Sequence, residues 1–148
     1  MNIKNHLSYK LRSIGFFIDT IGESYLKSTK SEVSFSQFLL LAGVHELNNP
    51  SITRLARWIN ITPPSATYLV KKLSEKGLVN VAFAKGSLRE KTVILTPQGD
   101  KLTKKLFEEI NQCFKKHMSI INKKQLSEFS EIIDTLYKNF NESKHDQN

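Results

Sequence analysis

Thr62-Pro63-Pro64 and Gly77 bracket a helix whose two ends are both set by chemistry. A threonine hydroxyl caps the exposed amides of a first turn, and a proline at the first helical position forfeits no hydrogen bond while its fixed φ suits the helix. Glycine at the far end accepts the left-handed backbone that closes many helices. Between these ends Ala66, Leu69, Val70 and Leu73 recur at helical spacing and form one apolar stripe, so the segment 62–76 predicts a short helix buried along one side. Just before it, Ile52, Leu55, Ala56 and Ile59 fall at i, i+3, i+4 and i+7, a shorter amphipathic helix ending near Asn60. Just after Gly77 the period drops to two. Val79, Val81 and Phe83 alternate, "AKGSLREK" intervenes, and Val93 and Leu95 alternate again, which predicts a β-hairpin with a basic, glycine-containing tip.

The flanks are helical. Leu7, Leu11, Ile14, Ile18, Ile21 and Tyr25 alternate spacings of four and three, giving a long helix over roughly residues 5–28. Ser34 is placed to cap "FSQFLLLAGVHEL", which is apolar nearly all round and so reads as buried. Thr96-Pro97 repeats the threonine-proline start and opens a long helix with Leu102, Leu106, Ile110, Cys113 and Phe114 inward. Lys123-Lys124 is expected to break or bend it, Leu126, Phe129, Ile132, Ile133, Leu136 and Phe140 define a last helix, and the polar tail "NESKHDQN" is expected to fray. The chain shows no repeat and no linker. It therefore reads as one domain over 1–148, mainly α with a small antiparallel β-hairpin, in which helices over 5–30 and 97–141 flank a central lobe over 34–96.

Net charge is +8, and its distribution carries more information than its size. Residues 51–105 hold eleven Lys/Arg against Glu75, Glu90 and Asp100, while the segments on either side nearly balance. Concentration of the whole excess around the short helix points to a polyanionic partner. No apolar run is long enough to span a bilayer, and "MNIKNHLSYKLRS" lacks the apolar stretch of a signal peptide. Cys113 is the single cysteine, so no internal disulfide forms. A cytoplasmic protein is expected, in which the sequon-like Asn60-Ile61-Thr62 has no meaning. Catalytic signatures are missing: there is no glycine-rich phosphate loop, no HExxH and no GxSxG, and His6, His45, His117 and His145 are scattered. The expectation is a protein that is not an enzyme and uses no cofactor. Cys113 and His117 share a helix face at i, i+4, but a metal site needs three or four ligands and only His45 and Glu46 stand as further donors. A buried cysteine beside an ordinary histidine is expected there, with no metal.

Helix, tight turn, capped helix and hairpin in that order make a helix-turn-helix with a wing. At 100° per residue, Pro64, Tyr68, Lys71, Lys72 and Glu75 lie opposite the buried stripe of the second helix, with Ser65 and Thr67 on its flanks. In such motifs the N-terminal part of the second helix enters the major groove, and a basic hairpin tip beside it suits the minor groove or phosphates. These residues carry a resemblance. "SITRLARWINITPPSATYLVKKLSEKGLV" followed by "KGSLREKTVILTPQG" resembles the winged helix-turn-helix of the MarR family of bacterial transcription regulators, and the flanking helices resemble that family's dimerisation region. The resemblance implies a homodimer that binds a pseudo-palindromic double-stranded operator and controls transcription, as a repressor or an activator. By resemblance Thr67, Lys71 and Lys72 fall in the region that reads the major groove and Arg89 matches the wing arginine placed in the minor groove; Thr62, Pro64, Ser65 and Tyr68 on the helix and Lys85, Ser87 and Lys91 on the hairpin complete the candidate DNA contacts. The chain departs from the family pattern at Tyr68, where an arginine is common, and at Ser87, where an acidic residue is usual.

The apolar faces of three flanking helices exceed what a small central lobe can cover, which favours an obligate dimer. By resemblance a small-molecule effector would bind between those helices and the lobe. Phe16, Phe17, Phe38 and Leu41 are the candidate lining, although a plain aromatic core accounts for them equally. Two other functions stay open on the sequence: an architectural or replication-associated winged helix without sequence preference, and a winged helix that binds protein.

Overall fold

The computed structural model describes residue 3, residues 6–84 and residues 91–145, with side chains described through residue 139. Among these, six helices and one hairpin follow in the order α1 (Leu7–Ser28), α2 (Phe35–Leu47), α3 (Ile52–Trp58), α4 (Pro63–Glu75), β1 (Val79–Phe83), β2 (Lys91–Leu95), α5 (Pro97–Met118) and α6 (Lys123–His145). They fall into two compact units, residues 1–114 and 115–148, with the division inside α5.

The helix ends follow from backbone chemistry. Ser34 caps α2 through a capping box: its hydroxyl accepts from the Gln37 amide, and the Gln37 side chain accepts from the Ser34 amide. Three helices close with the same pair of crossed hydrogen bonds. In α1, Ser31 N–H reaches the Leu26 carbonyl and Lys30 that of Lys27. In α3, Ile61 reaches Ala56 and Asn60 reaches Arg57. In α4, Leu78 reaches Leu73 and Gly77 reaches Ser74. Each closure needs one left-handed residue, and Lys30, Asn60 and Gly77 have φ of 50°, 57° and 69°. Asparagine tolerates that region better than most side chains, so Asn60 makes the tight turn between α3 and α4.

The core of the first unit gathers α2, α3, α4, the hairpin and one end each of α1 and α5. Leu40, Leu41, Leu55, Leu73, Leu78, Val79 and Val93 are fully buried in it. Each such aliphatic side chain stabilises the fold by about 1.5–3 kcal/mol on leaving water. The strands pair antiparallel, with Val79 opposite Leu95, Val81 opposite Val93 and Phe83 opposite Lys91. The Val93 amide also donates to the Pro50 carbonyl at 2.9 Å, which ties the hairpin to the start of α3.

Two expectations at the C-terminal side are corrected. The break between the last helices falls at residues 119–122, and Lys123 and Lys124 are the first residues of α6. Lysine favours helix; the signal for the new start is Asn122, whose amide donates to Gln125 while its side chain accepts from the Gln125 amide. The tail is also helical as far as His145, since it contains neither glycine nor proline to stop it.

Candidate nucleic-acid interface

The hydroxyl of Thr62 accepts from the Ser65 amide at 3.3 Å and lies 2.8 Å from the Ser65 hydroxyl, so the start of α4 is capped by the two residues flanking its prolines. Ala66, Val70 and Leu73 bury one side of the helix in the lobe. The opposite side, with Pro64, Ser65, Thr67, Tyr68 and Lys71, is exposed. The other end is locked by a threonine from the next helix. Thr96 donates its hydroxyl proton to the Gly77 carbonyl at 2.7 Å, accepts from the Gly99 amide at 3.0 Å, and sends its own amide to the Leu78 carbonyl at 3.1 Å. One residue thus joins the C-terminus of α4 to the N-terminus of α5, which gives "LTPQG" its structural meaning.

The hairpin folds back beside this helix. A groove of about 440 Å³ runs between them, with Thr67, Lys71, Ser74 and Glu75 on the helix side and Val81 and Lys91 on the hairpin side. Three of the residues singled out in the sequence, Thr67, Lys71 and Lys91, therefore converge. Ser74 and Val81 were missed, although Ser74 lies one turn beyond Lys71 and Val81 follows the strand alternation. Thr62, the N-cap of α4, and Pro64, Ser65, Tyr68 and Lys72 on the helix lie outside the groove lining, and Lys85, Ser87 and Arg89 are outside the described residues.

The cations of this surface differ in what they already hold. Lys72 donates to Glu75 at 2.9 Å, and its Nζ stands 5.9 Å from the centre of the Tyr68 ring. The hydrogen bond to Glu75 raises the Lys72 pKa and lowers that of Glu75. Lys76 turns inward, to the Glu32 carbonyl and the buried Gln37 side chain. Lys91 lies 5.7 Å over the Phe83 ring and remains exposed. Lys71 is exposed and makes no ion pair among the described residues, as do Arg54 and Arg57 on α3.

The four residues named as a candidate effector pocket differ in exposure. Phe38 and Leu41 are core residues at 4% and 0% exposure, whereas Phe16 and Phe17 are exposed on α1 at 74% and 49%. Their spacing on two apolar helices hid the difference, because α2 is buried nearly all round and the first fourteen residues of α1 are exposed. A cavity of about 500 Å³ does exist where the end of α1 meets the start of α2, lined by Leu26, Lys27, Val33, Phe35, Gln37 and Lys76 among others, and none of the four lines it. Cys113 is half-buried, and no group of three or more metal-binding side chains occurs among the described residues. No helix among them is long and apolar enough to cross a membrane.

A capped helix presented from a helix-turn-helix, with an antiparallel hairpin beside it, defines the winged helix-turn-helix class. Residues 33–91 match the model of the MarR family. No curated protein matches the chain by sequence. Among solved structures, a MarR-family transcriptional regulator from Silicibacter pomeroyi is similar at TM-score 0.80 and 20% identity, over 93% of this chain and 91% of that one. A MarR-family regulator from Rhodococcus sp. RHA1 is similar at TM-score 0.80 and 15% identity, over 92% and 95%. A MarR-family protein from Mycobacterium tuberculosis, solved with salicylic acid, is similar at TM-score 0.75 and 20% identity, over 92% and 99%. At such identities the likeness concerns the fold.

Proposed function

We propose that this protein is a dimeric, sequence-specific regulator of transcription that acts in the cytoplasm. Helix 62–76 lies in the major groove of double-stranded DNA and the wing 84–91 reaches the minor groove. The observation that carries the reading is the convergence of Thr67, Lys71 and Lys91 on one groove between a capped helix and a hairpin, within the segment that holds the whole net charge. Lysines on both walls of a groove suit a polyanionic strand passing between them, and phosphate contacts of this kind set register while base contacts specify. Arg89, at the wing tip by sequence, is assigned to the minor groove, where a planar guanidinium sheds water more readily than an ammonium.

Dimerisation is supported by the apolar surface of α1 and of α6, each taken by itself. Leu7, Ile14, Phe16 and Ile18 on the first and Ile132 and Leu136 on the second are all exposed. The structural neighbour holding salicylic acid supports a response to a small-molecule effector.

A gel-shift series against genomic fragments, with competitor DNA and several salt concentrations, tests the reading. A specific regulator retains a few fragments against excess competitor, with affinity falling steeply as salt rises. Equal retention of all fragments would make the protein an architectural DNA binder, and salt-insensitive failure to bind any would leave a protein-binding winged helix.

A further inference from the structure

The exposed start of α4 offers few hydrogen-bond donors. Thr67 has given its hydroxyl proton to the Pro63 carbonyl at 2.9 Å, and Thr62 and Ser65 hold one another. One turn further on, Lys72 is engaged by Glu75. What this stretch presents instead is apolar: the Pro64 ring and, one turn later on the same face, the Tyr68 ring at 60% exposure. The Lys72 ammonium stands beside the Tyr68 ring, and at 60% exposure much of the residue remains open.

An aromatic ring carried into the major groove of a duplex cannot stack on bases, because their faces are hidden in the helix. It meets base edges, and the single apolar feature on those edges is the C5 methyl group of thymine. We propose that Tyr68 is a specificity-determining residue that packs its ring, beside Pro64, against thymine methyl groups. This rests on the reading of α4 as the major-groove helix. Lys71, exposed on the same stretch of helix, supplies phosphate attraction that is indifferent to sequence. The stripe thus divides into an apolar end that reads and a cationic end that holds.

The proposal separates the methyl group from everything else thymine offers. Duplexes enriched from a randomised library by the wild-type protein are remade with every thymine replaced by uracil, which keeps the base-pairing edge and removes the methyl. Wild type is expected to bind the uracil duplex less tightly, by about fourfold for each methyl contacted, on the transfer value of one buried methylene. Tyr68→Phe, which keeps the ring, should retain that discrimination. Tyr68→Ala should bind the two duplexes alike, since an exposed side chain is removed and Lys71 still holds the backbone. Equal wild-type affinity for thymine and uracil duplexes overturns the proposal and leaves DNA binding standing. So does discrimination that survives unchanged in Tyr68→Ala. A library from which wild type enriches no duplex at all overturns the major-groove reading and this inference with it.

Discussion

Gly99 has no room for a side chain. A Cβ there would lie 2.0 Å from the Leu78 carbonyl oxygen, the same atom that accepts from the Thr96 amide. The backbone of α5 therefore passes against Leu78, which closes the end of α4, at a distance only glycine allows. Gly99→Ala is expected to destabilise the fold by about 1–3 kcal/mol, the usual cost of overfilling a packed site. Urea unfolding measures it, and an unchanged midpoint would contradict the close approach. Next to it, Asp100 accepts from Lys104 at 2.7 Å and meets His45 Nδ1 at 3.1 Å, which links α5 to α2. The Lys104 hydrogen bond, with His45 assisting, lowers the Asp100 pKa against the opposing effect of desolvation. A carboxylate depressed on folding stabilises fully above its unfolded value, and that stabilisation is lost as pH falls through the lower folded value. Wild type should thus lose thermal stability below about pH 4, the ordinary aspartate value, more steeply than Asp100→Asn. Parallel Tm curves for the two proteins between about pH 5 and about pH 2 would remove Asp100 from acid sensitivity.

At the scale of the element, α4 was legible because its signals are local. Thr62, Pro63 and Gly77 each act on the backbone within one turn, and the structure places the helix at Pro63–Glu75 as their chemistry requires. Ser34 and Thr96 were legible for the same reason. What the sequence did not disclose depends on partners far along the chain. Lys76 looks like one more basic residue of the helix, yet it serves Glu32 and Gln37 in the lobe. Gly99 gives no sign in the sequence of the carbonyl that confronts it. The break before α6 was misplaced because a lysine pair looks like an interruption, whereas Asn122 and Gln125 supply the start. The sequence points to the exposed polar face of α4 but not to what its side chains already hold. Lys72 is held by Glu75, so its charge is already partnered before any phosphate arrives. Glu75→Gln should release it, removing one anion from the groove, and DNA affinity should rise for all sequences with a steeper salt dependence. Lys71→Ala should act oppositely, weakening all sequences alike. Affinities measured at several salt concentrations decide this, and a Glu75→Gln protein that binds no tighter than wild type would show that neither Lys72 nor Glu75 lies close to the DNA phosphates.

At the scale of the whole molecule, α1 behaves as two helices in one. Its last turns, with Ile21, Gly22 and Leu26, are buried in the lobe, while every residue from Leu7 to Thr20 is exposed, including Leu7 at 70% and Phe16 at 74%. Single exposed apolar residues are normal on a protein surface, but an apolar stripe sustained over several turns is a surface awaiting cover. The same holds within the second unit, where Leu126, Phe129, Ile132, Ile133 and Leu136 repeat at helical spacing and are exposed throughout. On the proposed reading a second copy of the chain covers these stripes, since a two-fold dimer would carry two copies of α4 to half-sites about 10 bp apart. Sedimentation at micromolar concentration is expected to give about twice the 17.0 kDa of the chain. Ile132→Glu places a charge on that stripe, where burial would leave it unpaired, and should shift the protein to monomer. It lies outside the first unit, so the lobe should remain folded and its nonspecific, salt-sensitive DNA binding should survive, while the tight binding that needs two half-sites is lost. Wild type sedimenting at 17.0 kDa would remove the dimer and, with it, the palindromic operator. A dimer with only one half-site of DNA protection per complex would keep the interface and show that the two lobes do not engage one duplex together.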